Sequence, residues 1–197
     1  MIRSSLFSVL LLALAVAWQG NSVATSDSDS WKKNASLMPQ YCKDLAKGNN
    51  SPEWTKWRST FGETAIHMNH YCKGIFAEDK VKSIMEKDKR DYWLGIVVHQ
   101  MRYVSTTCKK NCVLYPDLHT RWGWALSEQG LIPEAIEHYQ LAFKAKPNYA
   151  LAYARLSELY LGIGQPEEAR KVLESGLKAN PNSRALKRRL KKLESSD

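Results

Sequence analysis

The chain has 197 residues and a net charge of +9. Hydrophobic residues make up 44% and charged residues 25%, a globular composition that excludes a collagen-like, wholly disordered or multi-pass membrane chain. The length fits one compact unit or two small ones that share a core, and is too short for a TIM barrel or a two-domain dehydrogenase. The basic balance admits nucleic acid, anionic lipid or polyanionic polysaccharide as partners, but it does not choose among them.

Residues 1–24 have the pattern of a secretory signal peptide. Arg3 precedes an apolar run from Leu6 to Trp18, and Ser22-Val23-Ala24 places small residues at the spacing of a cleavage site. The run is short for a membrane span, although an uncleaved anchor helix is the alternative. We therefore expect an exported, periplasmic bacterial protein that is soluble or peripherally attached after cleavage. The remaining residues carry a net charge of +8.

Four cysteines follow the signal: Cys42, Cys72, Cys108 and Cys112. An even number in an oxidising compartment predicts two disulfides, with three possible pairings. We favour Cys42–Cys72 and Cys108–Cys112, because cysteines four apart at a frayed helix end bring their Cα atoms within bridging distance. A zinc site would need a second pair of ligands at matching spacing, and none is evident.

The first part of the mature chain divides at residue 53. Residues 25–53 hold a polar, flexible leader over 25–35 and one short helix near 40–47. Residues 54–115 form an N-terminal helical module with disulfides. Its first helix begins after a Ser51 cap with Pro52 in the first turn, and two longer helices follow over 63–76 and 78–107. No segment alternates with period two, so we expect no sheet.

Residues 116–149 and 150–183 repeat one pattern at a shift of 34 residues. Small residues let two antiparallel helices approach, a glycine suits the turn between them, and a proline ends the second helix. The matched pairs are Gly123 with Ser157, Gly130 with Gly164, Ala135 with Ala169, Ala142 with Gly176, and Pro147 with Pro181. The pattern predicts two helix-turn-helix hairpins.

This 34-residue sequence pattern resembles the tetratricopeptide repeat. The departures are His119, at a place the family often fills with Trp, and Ser157, which replaces a glycine. The resemblance implies an all-α fold, a short α-solenoid of two clear repeats. A degenerate N-terminal helix pair supplies the third hairpin that such a core needs. Residues 184–197 form a basic capping helix with Leu186, Leu190 and Leu193 on one side.

Two stretches of the N-terminal module look like a recurring module of exported bacterial tetratricopeptide proteins. They are Met38–Cys42 and the spaced set Trp57, Phe61, Gly62 and His67 to Cys72. This resemblance covers about a third of the chain and is less specific than the repeats. It supports an envelope location and implies no chemistry.

Candidate catalytic or metal residues are few. His67 and His70 lie three apart on a predicted helix with Cys72 nearby, so a metal or redox protein built on this cluster is a weaker alternative. Histidines hydrogen-bonded at a helix interface beside a disulfide are the simpler interpretation, since an oxidised cysteine is no nucleophile. No phosphate loop, nucleophile elbow or HExxH is present. We therefore expect no enzyme, no metal and no cofactor.

The resemblance implies that the first helix of each repeat lines a groove for a protein partner. Carboxylate capture is not supported, because the family's clamp uses Lys and Asn at places where this chain has Thr120 and Trp124, then Ala154 and Glu158. Trp124 is either an apolar anchor for the partner or a residue that packs on the preceding helices. The groove residues are Asp117, Thr120, Trp124, Ser127, Leu151, Ala154, Glu158 and Leu161.

The excess charge lies at the two ends of the mature chain. Residues 116–183 sum to −1, residues 184–197 to +4 and residues 25–115 to +5. We therefore expect an exported, non-enzymatic adaptor for an envelope assembly or secretion partner, without nucleic acid. The alternative is a binder of anionic polysaccharide or lipid through the last helix. Its contacts would be Arg184, Lys187, Arg188, Arg189, Lys191 and Lys192.

Overall fold

The computed structural model describes residues 30–195, which form helices and turns without a strand. The all-α prediction is confirmed for these residues. The α-helices are α1 (Ser30–Lys33), α2 (Gln40–Ala46), α3 (Pro52–Phe61), α4 (Met68–Ser83), α5 (Lys87–Ser105), α6 (Tyr115–Glu128), α7 (Ile132–Ala145), α8 (Ala150–Gly162), α9 (Pro166–Ala179) and α10 (Arg184–Glu194). The predicted signal peptide, the first residues of the leader and residues 196–197 lie outside the described residues.

The two expected hairpins are α6 with α7 and α8 with α9. Each turns at a glycine in the left-handed region, Gly130 at a φ of 79° and Gly164 at 73°. Gly123 lies where a Cβ atom would come 3.0 Å from the carbonyl oxygen of Ala135 on α7. The small residues of the repeat therefore do what their spacing indicates: they let paired helices pack closely.

Helix α10 closes the last hairpin, as its leucine stripe predicts. Ser183 caps the helix through its Oγ, which accepts a hydrogen bond from the backbone N–H of Leu186 at 3.4 Å. Leu186 and Leu193 are buried against α8 and α9, and Leu190 packs beside them. The cap thus covers the apolar side of the last repeat, while its basic residues stay outside this core.

The N-terminal helix pair is α4 with α5, and its boundary differs from the prediction of helices over 63–76 and 78–107. Residues Gly62–His67 form a 3-10 helix. Helix α4 continues to Ser83, and residues 84–86 connect it to α5. The reason is that Ala77, Glu78 and Val81 continue the buried side of α4. Gly74 lies directly against Met101 of α5, so the two helices pack closely at this point.

The leader prediction is wrong for residues 30–35. Residues Ser30–Lys33 are helical, and Trp31 is 1% exposed. Its indole N–H donates a hydrogen bond to Asn69 Oδ1 of α4 at 3.0 Å. The segment 30–46, which we call the N-terminal strap, therefore lies on α4. The expected short helix is present as α2.

Both favoured disulfides are present. Cys42 of the strap joins Cys72 of α4, with Cα atoms 5.8 Å apart. Cys108 joins Cys112 in the turn after α5. The predicted start of α3 is also confirmed, since Ser51 Oγ accepts a hydrogen bond from the N–H of Trp54 at 3.1 Å.

One apolar cluster runs from the strap through α4, α5, α6 and α7 to α8. A second, smaller cluster lies under α8, α9 and α10. The stacked rings of Phe143 and Tyr153, with centroids 4.6 Å apart, lie where the two clusters meet. Among the described residues, no helix has the length and apolar character needed to cross a membrane.

Candidate functional site

The first helices of the hairpins form an inner layer, because α4, α6, α8 and α10 each contact the next. Three arginines share one place on this layer: Arg121 on α6, Arg155 on α8 and Arg189 on α10. They are spaced by the repeat length of 34 residues. We call these three residues the arginine row. The row marks the inner face of the molecule.

Carboxylates link the row across the helices. Arg121 forms a salt bridge with Glu78 of α4, and the guanidinium of Arg155 lies 3.6 Å from the same carboxylate. Glu158 of α8 lies 3.7 Å from Arg155 and 2.7 Å from Arg189. Opposite charges therefore alternate from α4 to α10, and they bind the four helices to one another.

The N-terminal end of this face is a buried polar hub around Asp117. This carboxylate accepts hydrogen bonds from the hydroxyls of Tyr71 and Tyr149, and from Arg121 Nε at 2.9 Å. Burial raises the pKa of Asp117, but Arg121 and the two tyrosines outweigh it and hold the pKa below its ordinary value. The carboxylate is thus ionised and fully engaged.

The N-terminal strap covers this end of the face. Asn34, Leu37 and Met38 line a cavity of about 390 Å³ together with Glu78 and Arg121. Tyr41 packs on Tyr71 with ring centroids 6.2 Å apart, and burial together with the charge of Asp117 raises its pKa to about 12. We call this end the closed half of the inner face, because residues of the strap line its cavity and pack on Tyr71 of the hub.

The C-terminal end, formed by α8, α10 and the end of α6, is the open half. A cavity of about 250 Å³ lies between α6 and α8, lined by Trp124, Ser127 and Arg155. A second, of about 400 Å³, lies between α8 and α10, lined by Leu161, Arg188, Arg189 and Lys192. Glu158 lines both cavities, so they adjoin along one continuous surface.

The structure separates the eight predicted groove residues. Trp124, Ser127, Glu158 and Leu161 line the open half. Leu151 is exposed but lines neither cavity. Asp117 is engaged in the hub, while Thr120 and Ala154 are buried. Helix packing thus uses the places of Thr120 and Ala154, whereas the Asp117 side chain is 21% exposed and is held by its hydrogen bonds in the hub.

Trp124 packs in the core, which is one of its two predicted roles, and its role as an anchor for a partner stays a prediction. It is 7% exposed and belongs to the main apolar cluster, which is the packing role. Its ring also lies under the guanidinium of Arg155, 5.6 Å from the centroid, at the wall of the smaller cavity. The tryptophan thus supports an arginine at the surface.

The predicted basic patch on α10 faces two ways. Arg184, Lys187, Arg188, Lys191 and Lys192 are exposed. Arg189 is turned toward α8 through its pair with Glu158. Arg188 and Lys192 line the larger cavity with it. One side of the helix therefore belongs to the open half, and the other side faces outward.

The His/Cys cluster has a structural arrangement. Cys72 is in its disulfide, and His70 is hydrogen-bonded through Nδ1 to Gln100 Oε1 at 2.7 Å. His67 and His70 both pack on the ring of Tyr103. Over residues 30–195, no three side chains of the His, Cys, Asp and Glu types lie together as a metal site would need.

The comparisons with known proteins agree with the helical pattern. Residues 126–193 match the model of the family described as Tetratricopeptide repeat. This part of the chain is therefore similar to tetratricopeptide repeats. The match spans the end of α6 through α10, which includes the second repeat and the cap. The comparison with curated proteins gives no match.

Two solved structures of tetratricopeptide domains are similar to the chain. The first domain of Spaghetti (RPAP3), bound to the HSP90 peptide SRMEEVD, is 19% identical. It covers 63% of this chain and 94% of its own, with a TM-score of 0.45. The Sgt2 domain from Aspergillus fumigatus is 20% identical and covers 62% and 78%, also with a TM-score of 0.45.

The arginine row is the feature that sequence reasoning missed. Its signal was available, since Arg121, Arg155 and Arg189 recur at the same 34-residue period as the glycines. The groove prediction used only the places known for the family, and the row lies one place after one of them. The link to Glu78 had no signal, because that residue lies outside the repeats.

Proposed function

We propose that the protein is a non-enzymatic scaffold that holds a segment of a protein partner on the open half of its inner face. The observation that carries this proposal is the pair of adjoining cavities at Glu158. Their walls combine apolar side chains with charged groups, as protein-recognition surfaces do. A tetratricopeptide-repeat region presents such a surface on its inner helices.

We further propose that the partner belongs to an envelope assembly or secretion complex. The signal pattern of residues 1–24 supports export. The pairing of all four cysteines supports an oxidising compartment.

Site-directed photo-cross-linking tests the scaffold role. A photoreactive phenylalanine replaces Leu161, which lines the larger cavity, in the full chain expressed in its native host. The matched control carries the same group at Glu174, an exposed position on the outer helix α9. We expect a discrete adduct from position 161 and none from 174. Equal adducts from both, or none from either, would contradict the proposal.

The second candidate is a surface binder that uses the outward side of α10. The exposure of Arg184, Lys187 and Lys191 favours it, because exposed basic residues of one helix attract anionic lipid or polysaccharide. Sedimentation with phosphatidylglycerol vesicles, or with heparin-coated beads, measures this binding. Binding that survives glutamine at all three positions would eliminate this candidate.

A further inference from the structure

His119 of α6 and His138 of α7 face each other across the contact between the two helices, and we call them the histidine pair. Their Nδ1 atoms are 2.7 Å apart and their ring centroids 5.0 Å apart. This is the longest centroid separation that a contact of two ring atoms at that distance allows, so the imidazoles lie end to end. In a neutral pair one Nδ1 donates its hydrogen and the other accepts it. Both nitrogens are therefore aimed at one point between the rings.

Trp122 of α6 lies beside this point. Its ring plane is 14° from that of His119 and 28° from that of His138, and the centroids are 6.0 and 4.2 Å away. Together with the 5.0 Å between the imidazoles, these distances place the midpoint of the pair about 4.5 Å from the indole centre, within the range of a cation–π contact. The electron-rich face of an indole thus covers the point at which two nitrogen ligands are aimed.

The surroundings of the histidine pair favour a metal ion of low charge. Among residues 30–195, no third side chain of the His, Cys, Asp or Glu type joins the pair, whereas zinc sites in proteins have three or four such ligands. His119 is 6% exposed, and a divalent ion without a carboxylate nearby is costly in such a place. Copper(I) and silver(I) carry one charge, and two nitrogen ligands in line are enough for either ion.

We propose that the histidine pair is a binding site for one soft monovalent metal ion, copper(I) or its stable analogue silver(I). Both Nδ1 atoms bind the ion, and the proton that they shared moves to Nε2 of the ring that donated it, so no proton is released. With nitrogen–metal distances of about 2 Å, the Nδ1 atoms must separate to about 4 Å. His138 is partly exposed, so its side chain can move outward and the ion can enter from that side.

Titration calorimetry of the full chain with silver nitrate, in chloride-free buffer at pH 7, tests the site. Both disulfides stay intact, and the described residues then contain no free thiol to compete for silver. We expect one ion per chain and a shift of the nitrogen NMR signals of both Nδ1 atoms. Zinc sulfate is the comparison probe, and we expect zinc to bind at least about tenfold more weakly.

Substitutions separate the two nitrogen ligands from the indole. His119→Phe and His138→Phe each leave a single imidazole, so we expect silver affinity to fall at least about tenfold. His138→Gln should give the same loss while it keeps a hydrogen-bonding group opposite His119. Trp122→Leu keeps both imidazoles and removes the aromatic face, so we expect a fall of about threefold. Circular dichroism confirms that each variant is helical before it is titrated.

His99→Phe is the matched control, because His99 is exposed on α5, away from the pair. We expect it to bind silver like the unchanged chain. If it loses the ion as His138→Phe does, silver binds to histidines in general and the proposal is wrong. If His138→Phe and His138→Gln keep the affinity, the ion lies elsewhere. Equal binding of zinc and silver, or no binding of silver at all, would also contradict an in-line site for a monovalent ion.

Discussion

The closed and open halves of the inner face each have an arginine at the same position of the repeat, but the two arginines have different roles. Arg121 is 19% exposed and meets a Glu78 side chain that is only 7% exposed. Arg189 is 32% exposed and meets Glu158, which is 44% exposed. Arg155 lies between them at 27% and contacts both carboxylates. Burial, rather than residue type, therefore decides whether an arginine of the row holds the fold together or stays available to a partner.

The N-terminal strap is what makes the difference. It covers Glu78 and Arg121 and shields the hub at Asp117, so the ion pairs there lie in a medium of low dielectric and have fixed partners. The open half has no such cover among the described residues. Its ion pairs are exposed to water. Its cavities lie between helices that pack through their apolar sides.

The comparison predicts a graded effect when each arginine of the row becomes methionine. Arg121→Met removes the cation of Asp117 and one of the three cations that contact the buried Glu78, so we expect a loss of about 4 kcal/mol in unfolding free energy. Arg155→Met should cost about 1 to 2 kcal/mol, and Arg189→Met less than about 1 kcal/mol. Urea unfolding of the three variants measures the series. Equal losses would show that the two halves do not differ in burial.

The disulfide of the strap gives the next largest effect. Serine at both Cys42 and Cys72 opens a loop that spans 30 residues, and chain entropy alone predicts a cost of about 3.6 kcal/mol. We expect faster hydrogen exchange in 30–46 and in α4, with α8 to α10 unchanged. The control is serine at both Cys108 and Cys112. The disulfide lost there spans only 4 residues, so the strap should stay protected from exchange. Faster exchange throughout the chain would contradict separate halves.

The helices of the C-terminal half could be predicted from the spacing of the repeated residues. Small residues at fixed places require close helix packing, and that requirement is local enough to be visible without a structure. The hairpins α6–α7 and α8–α9, their glycine turns and the cap all follow from it. Four of the eight predicted groove residues line the cavities, and their contact with a partner stays a prediction; they are Trp124, Ser127, Glu158 and Leu161.

The N-terminal half was less predictable because long-range packing determines it. Between Ser83 and Lys87 there is no glycine or proline to mark a break, and Glu86 provides no side-chain cap to α5. Trp31 is the one aromatic residue in a polar stretch, and its burial depends on Asn69 of α4. Such contacts are absent from any local pattern, so residues 30–35 of the strap were predicted to be flexible.

Acid should act on the first hairpin selectively, through His119 on α6 and His138 on α7. Their Nδ1 atoms lie 2.7 Å apart between α6 and α7. Burial lowers the pKa of each to about 4, and mutual repulsion adds to the shift of His119. The folded pKa is below the unfolded value of about 6.5, so this pair disfavours protonation in the folded state. Stability is therefore complete above about pH 6.5 and falls as the pH approaches 4.

We expect the free energy of unfolding to be about 2 kcal/mol lower at pH 4.5 than at pH 7. This figure allows for the partial solvent contact of His138. Hydrogen exchange at pH 7 and pH 4.5, corrected for intrinsic rates, should show α6 and α7 loosening before α8 to α10. Residues 150–197 contain no histidine. In His138→Phe the ring remains and the second titrating group is lost, so the acid effect should diminish. An unchanged acid profile in this variant would assign the effect to other groups.

The smallest expected effect tests whether the two repeats are alike in spite of their different surfaces. Gly130 and Gly164 have nearly the same positive φ, and an added Cβ atom would have nothing within 4 Å at either site. The cost of alanine is therefore backbone strain alone, about 1 kcal/mol at each position. We expect Gly130→Ala and Gly164→Ala to lower the melting temperature equally. A larger loss at Gly130 would mean that the strap constrains the first hairpin itself, and the difference between the halves would then extend from the surface into the repeat.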